Sequence, residues 1–404
     1  MCRYSCLEEE LKRDWKGSIK MKSLKFGKLE DGKTAGLYIL ESPDGMRAAV
    51  TDYGAALVSL AVPDRKGNMV DVVLGHDDAA GYESGSGHIG ASVGRFANRI
   101  AGAGFELNGH TYNLTANNGT NCLHGGRDFF KNRLWGVKID FTSVRSGDIM
   151  AAYASESIAD KDPGRGIRGL HDNTITFCLD SPDGDQGFPG NMHIEVTYSL
   201  PGNGRLRIEY NAVSDADTPV SFTNHSYFNL NGHSSGTVMG HMAKINAEYY
   251  TPVDARLIPL AEAASVAGTP FDFREAKMLG MEINSVDQQL AFGGGYDHNF
   301  VIGDSAGETV ERSIKEAGQL YSDESGICMT VMTDMPDMQM YTANGLKDEP
   351  GKDGAVYGRR SAVCLETQFR PNAINSCDPY IREACILKAG EEFSSTTIYR
   401  FSNI

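Results

Sequence analysis

The chain has 404 residues, 41% of them hydrophobic and 23% charged, and a formal net charge of −15 at pH 7. That length accommodates one large unit or two, and the apolar share suffices for a sizeable core, which sets global disorder aside. The negative excess, with no Lys/Arg stripe against it, argues against nucleic acid and anionic lipid as partners, and no run approaches the ~20 apolar residues of a membrane span.

The opening MCRYSCLEEELKRDWKGSIKMKSLKFGK sets charges where a signal peptide needs an apolar stretch, so a cytoplasmic protein is expected. With a second methionine at Met21, residues 1–23 read as an extension outside the fold and 24–404 as one domain. Strand-like runs then follow at 46–63, at 105–114 around Asn108-Gly109, at 135–141, 148–155 and 173–180. The strongest periodicity lies in HIEVTYSLPGNGRLRIEYNAV, where Ile194, Val196, Tyr198 and Leu200, then Leu206, Ile208, Tyr210 and Ala212, alternate with polar residues on either side of a Pro201–Gly204 turn. Further strands are expected at 220–229, 327–333, 362–367 and 393–401. Helical periodicity is weak, limited to a turn or two at 77–84 and 285–292. Many strands, frequent turns and little helix predict an all-β chain folded as a large antiparallel sandwich. The polar run SIADKDPGRGIRGLHDN at 157–173 reads as a long loop, either a solvated insertion or a rim beside a groove.

Local motifs exclude several chemistries. There is no P-loop, no GxSxG elbow, no HExxH and no GxGxxG between a strand and a helix, so no nucleotide or metal cofactor has a visible seat. The eight cysteines are scattered, without a CxxC pair, and read as reduced thiols. What stands out is a set of polar residues among apolar neighbours: Asn98 and Arg99 in GRFANRI, His124 in CLHGG, His225 and Tyr227 in FTNHSYFNL, Asp297 in GGYDHNF, Gln339 in PDMQMYT and Glu366 in VCLETQF. Each, taken alone, reads as hydrogen-bonded structure or a solvent-facing side chain. Gathered in one pocket, they would suit a polyhydroxylated ligand such as a sugar.

Taken together, the blocks GRFANRIAGAGFELNGHTYNL, NCLHGG, DGDQGFPGN, TNHSYFNLNG, YDHNF, AVYGRRSAVCLETQFRPNAIN and LKAGEEF resemble, in order, those of the galactose mutarotase (aldose 1-epimerase) family over residues 24–404. The resemblance implies a β-supersandwich and cofactor-free interconversion of the α and β anomers of free aldohexoses. It implies His225 as the acid at the ring oxygen, Glu366 as the base at the C1 hydroxyl, and Asn98, Arg99, His124, Tyr227, Asp297 and Gln339 as sugar-binding residues. Such a pair fits the chemistry, since opening a pyranose removes a proton at C1–OH and delivers one to O5. Two departures from the family pattern are expected: Asn372, where the resemblance implies an acidic residue in many relatives, and the long 157–173 loop. The competing expectations are a hexose-6-phosphate epimerase, which calls for extra cationic residues at a phosphate, and a non-catalytic sugar-binding protein on the same scaffold. The expected partner is a monosaccharide, bound by a monomer or homodimer.

Overall fold

The computed structural model describes residues 22–138, 173–302 and 312–404. The stretch 1–21, the strand expected at 148–155 and nearly all of the 157–173 loop lie outside the described residues. Among the described residues the architecture is a nine-stranded antiparallel sheet covered by two five-stranded ones. The large sheet runs, edge to edge, Gly136–Lys138, Thr174–Ser181, Met192–Gly202, Arg205–Ser214, Glu392–Asn403, Ile327–Thr333, Lys315–Tyr321, Met242–Ile245 and Lys277–Met278. The N-terminal sheet takes Lys22–Lys28, Thr34–Glu41, Arg47–Thr51, Ala56–Pro63 and Met69–Asp71 in chain order. The C-terminal sheet is ordered Ala264–Ser265, Tyr249–Thr251, Asp297–Val301, Asp337–Tyr341, Cys364–Gln368.

Alternation decides which face of the large sheet is covered. Ile194, Val196, Tyr198 and Leu200 are fully buried, as are Leu206 and Ile208 on the neighbouring strand, while residues between them keep partial exposure. The N-terminal sheet seals one half of this face: Tyr38 meets the Phe177 ring edge-on at 5.6 Å, and the Tyr198 hydroxyl donates to the Ala55 carbonyl at 2.6 Å. The C-terminal sheet seals the other half, where Tyr399 packs on Phe228 and its hydroxyl donates to the Leu365 carbonyl at 3.0 Å. Glu392–Asn403 pairs with Arg205–Ser214 on one side and Ile327–Thr333 on the other, joining the two halves.

The all-β expectation holds, and the hairpin at 192–214 forms, with its turn at Asn203-Gly204, both left-handed. Two expected strands differ. The 46–63 run is broken at 52–55, where Gly54 adopts φ 71° with the Lys131 carbonyl so close that a Cβ would sit 2.7 Å from it. Within 220–229 only Thr223–Asn224 is ladder. Elsewhere its amides reach separate partners, His225 N–H to Ala91 and Phe228 N–H to Val363, so no single strand accompanies it. Short helices appear where expected, at Ala79–Ser84 and Gln288–Gly293, and a third at Pro379–Ala384 is capped by Asp378. No helix among the described residues is long and apolar enough to cross a membrane, and the six described cysteines are unpaired.

The break at 52–55 buries Asp52, whose carboxyl accepts the Gly36 N–H at 2.8 Å and the Tyr38 hydroxyl at 3.3 Å. Burial pushes its pKa up from 3.8 to about 7. The folded state thus binds a proton that the unfolded chain releases, and stability falls as pH rises from about 4 to about 7, by up to about 1.4 kcal/mol per pH unit. Asp52→Asn should flatten that part of the profile. Melting curves at several pH values in this window test it; a variant whose melting temperature falls as steeply as that of the wild type refutes the assignment.

Candidate active site

The C-terminal sheet supplies one polar face by register alone. Asp297 is paired with Tyr341 and Asn299 with Gln339, while Gln339 and Tyr341 are in turn paired with Glu366 and Cys364. Since side chains directly opposite share a face, Asp297, Gln339 and Glu366 stand in one diagonal row. The intervening residues, Phe300, Met338, Met340 and Leu365, point the other way into the core. Gln339 is 3% exposed and Glu366 2%, so this polar face lies under cover.

The cover comes from irregular backbone. Asn98 is left-handed (φ 62°), a conformation asparagine tolerates. Its N–H donates to His124 Nδ1 at 3.1 Å, and the His124 N–H returns a bond to the Asn98 carbonyl at 3.0 Å. The Asn98 amide oxygen accepts from the Arg99 N–H at 2.9 Å and from its guanidinium at 3.3 Å, while Asn118 accepts from Arg99 Nε at 3.1 Å. Asn372 latches the same segment, accepting the Ala101 N–H at 2.9 Å and donating its own N–H to the Arg99 carbonyl at 2.8 Å. The Asn372 departure is therefore a support beneath Arg99.

The His225 segment crosses opposite, tied by backbone bonds to Gly90 and Ala91. His225 Nε2 stands 3.7 Å from Glu366 Oε1. Its ring stacks on Tyr227 at 5.0 Å and meets the edge of His124 at 5.5 Å. Gln339 donates to Asp297 Oδ1 at 2.7 Å, and Asn98, Arg99, Asp297 and Gln339 line one cleft. All eight residues singled out in the sequence thus converge.

Three neighbours escaped the sequence reading. His88 lies 4.8 Å from His124 and 5.8 Å, nearly parallel, from His225, with Phe129 edge-on to it at 4.5 Å. Tyr341 meets both His225 and Tyr227 edge-on at 6.2 Å. The only sequence signal for His88 was its position just ahead of GRFANRI; Tyr341 could have been found from its period-two spacing with Gln339.

Burial dominates the electrostatics. It drives the Glu366 carboxyl well above the usual carboxylate range, with the Asp297 charge adding and Arg99 opposing. Asp297 is raised for the same first reason, against Arg99 and the Gln339 hydrogen bond. His225 is pushed down to about 4 by burial, and His88 and His124 fall well below the usual histidine value through burial and mutual repulsion. His225 Nδ1, Glu366 Oε2 and Gln339 Oε1 are buried without a hydrogen-bond partner among the described residues. A ligand with several hydroxyls would satisfy such atoms, and the His225–Glu366 pair is placed to exchange protons with it.

The family model described as aldose 1-epimerase matches residues 36–149 and 158–400. The galactose mutarotase of Sus scrofa is 38% identical over 379 residues, 93% of this chain and 97% of its own length. The aldose 1-epimerase of Escherichia coli K12 is 34% identical over 371 residues, covering 92% and 96%. Among solved structures, galactose 1-epimerase from Lactobacillus acidophilus superposes with a TM-score of 0.75 at 26% identity, covering 96% of this chain and 99% of its own. An aldose epimerase homologue from C. elegans gives 0.74 at 28%, covering 92% and 99%. Matched in sequence and in architecture across nearly its whole length, the chain belongs to the aldose 1-epimerase family.

Proposed function

We propose that the chain interconverts the α and β anomers of free aldohexoses such as galactose and glucose, with Glu366 as the base and His225 as the acid. Family membership makes it a sugar isomerase. The observation behind the two roles is the 3.7 Å between His225 Nε2 and Glu366 Oε1. In a hemiacetal the C1 hydroxyl and the ring oxygen share one carbon, so the groups serving them must stand nearly side by side. The separation leaves the pair unbonded to each other yet able to reach adjacent oxygens at about 2.6–3.2 Å each.

By burial alone the pair's one proton rests on Glu366, so this reading requires the bound sugar, with Arg99, to hold it on His225. In the opening step, the Glu366 carboxylate then takes the O1 proton as the C1–O1 double bond forms. The C1–O5 bond breaks, and its electron pair takes a proton from His225. Rotation about C1–C2 presents the other aldehyde face. Closure runs the transfers backward: O5 returns its proton to His225 while attacking C1, and O1 recovers a proton from Glu366. The pair holds one proton throughout, so turnover needs no net exchange with water.

Other residues hold the sugar. Because His124 Nδ1 accepts the Asn98 N–H, its proton sits on Nε2, making a neutral ring a donor to a sugar oxygen. The Arg99 guanidinium favours the carboxylate form of Glu366. Asp297, one oxygen engaged by Gln339, accepts from ring hydroxyls, and Tyr227 flanks the acid. The same reading takes residues 24–404 as one catalytic domain, supported by a continuous core spanning all three sheets, acting as a monomer or homodimer in the cytoplasm.

Glu366→Gln should lower kcat for α-D-galactose by about 10²–10⁴-fold, the usual worth of one positioned proton-transfer group, with sugar affinity nearly unchanged. Polarimetry on freshly dissolved sugar reads the rate; a folded variant at wild-type rate sinks the assignment. His124→Phe strands the buried Asn98 N–H, costing about 1–3 kcal/mol, so both melting temperature and kcat/KM should fall. His124→Asn, which offers an acceptor, should recover part of the stability. A His124→Phe protein that matches the wild type on both measures removes His124 from the site.

A further inference from the structure

Cys364 and Glu366 are two residues apart on Cys364–Gln368 and therefore share its polar face. His225 approaches from the opposing segment. A ring nitrogen of His225, the Cys364 sulfur and a Glu366 carboxylate oxygen all lie within 4.8 Å of one another. The three residues are 5%, 0% and 2% exposed.

We propose that this triad is an inhibitory binding site for a thiophilic divalent cation, Zn²⁺ or Cd²⁺, that excludes the sugar. Tetrahedral zinc, with bonds of about 2.0–2.3 Å, sets its ligand atoms roughly 3.3–3.8 Å apart. The His225–Glu366 separation of 3.7 Å already falls in that range, and the sulfur, within 4.8 Å of both partners, needs to close by at most about 1–1.5 Å. Imidazole, thiolate and carboxylate together select zinc-like ions over Mg²⁺ or Ca²⁺. Three protein ligands leave a fourth position for water. Two of the ligands sit on one strand of a hydrogen-bonded sheet, and Glu366 Oε2 and His225 Nδ1 have no other hydrogen-bond partner among the described residues.

Charge favours the cation as well. Burial first, then the Glu366 and Asp297 charges, push the Cys364 thiol toward its protonated form, and Arg99 is the positive group opposing the Asp297 and Glu366 charges. A dication in their midst replaces the protons on sulfur and carboxyl, which leave to solvent. Its ligands would be the two groups proposed to move the sugar's protons, so occupancy and turnover exclude each other. That inhibitory consequence rests on the proposed roles of His225 and Glu366; the binding itself does not.

The test uses the metal-free full chain with Cys2, Cys6, the partly buried Cys178 and the exposed Cys377 changed to Ser, so that the thiols that remain, Cys122, Cys328, Cys364 and Cys385, are all buried. Cadmium chloride should raise a thiolate-to-metal ultraviolet band saturating at one equivalent, suppressed by excess galactose. Zinc chloride should inhibit mutarotation competitively with galactose. Adding Cys364→Ser should abolish the band and weaken zinc inhibition, scaled to the variant's own uninhibited rate, by at least about tenfold, the lower end of the range seen for loss of lesser metal contacts; Cys364→Ala serves if the serine variant misfolds. A band or zinc potency unchanged by both substitutions overturns the site. One-equivalent binding lost with Cys364 but without inhibition upholds the site and removes His225 and Glu366 from the proton pair.

Discussion

The site depends on a strand's obligation to send successive side chains to opposite faces. On Asp337–Tyr341 and Cys364–Gln368 one face carries Met338, Met340 and Leu365 into the core. The other must then carry Gln339 and Glu366 in register. Packing the sheet against Tyr399 and its neighbours fixes the polar row to within the precision of a hydrogen-bonded ladder. The placement of Gln339 and Glu366 is thus inherited from core packing, and a one-residue slip would bury Glu366 among methionines and turn Leu365 into the cleft.

The covering layer obeys a different constraint. A sheet face holding buried carboxyls must be roofed by groups that donate hydrogen bonds without adding a large uncompensated charge. Neutral imidazoles do this, and two of them, His88 and His124, crowd around His225 with their proton affinities lowered by burial. Arg99 is the exception, and its charge is held in place by Asn98 and Asn118. Left-handed backbone at Asn98 and His124 shows that the roof is built from turns, where side-chain direction is set by local hydrogen bonds instead of strand alternation.

That difference explains what could be read from the amino-acid sequence. Alternation is a local property, so the 192–214 hairpin and the Asn108-Gly109 turn were legible, as were the terminal and 327–333 strands. The 220–229 run had the composition of a strand but not its fate, because its amides bond to residues more than a hundred positions away on both sides. Convergence is non-local too. No spacing rule connects His225 with Glu366 or brings His88 beside them, and the ordered blocks of a known family stood in for that missing geometry. The Asn372 substitution could be noticed in the sequence, yet its work as a latch on Arg99 required the folded backbone.

The position of Glu392–Asn403 bears on how the molecule comes into being. This strand, the last in the chain, lies in the middle of the widest sheet, between strands formed by residues near 210 and near 330. Every other strand of that sheet is therefore translated before the piece that joins its halves, and without that piece each half would present an open edge of unpaired amides and carbonyls. Closure waits for Glu392–Asn403, and pairing of such sequence-distant strands is intrinsically slow. A chain cut short before Glu392 would have two half-sheets with no seam between them, a species for chaperones or proteases to handle.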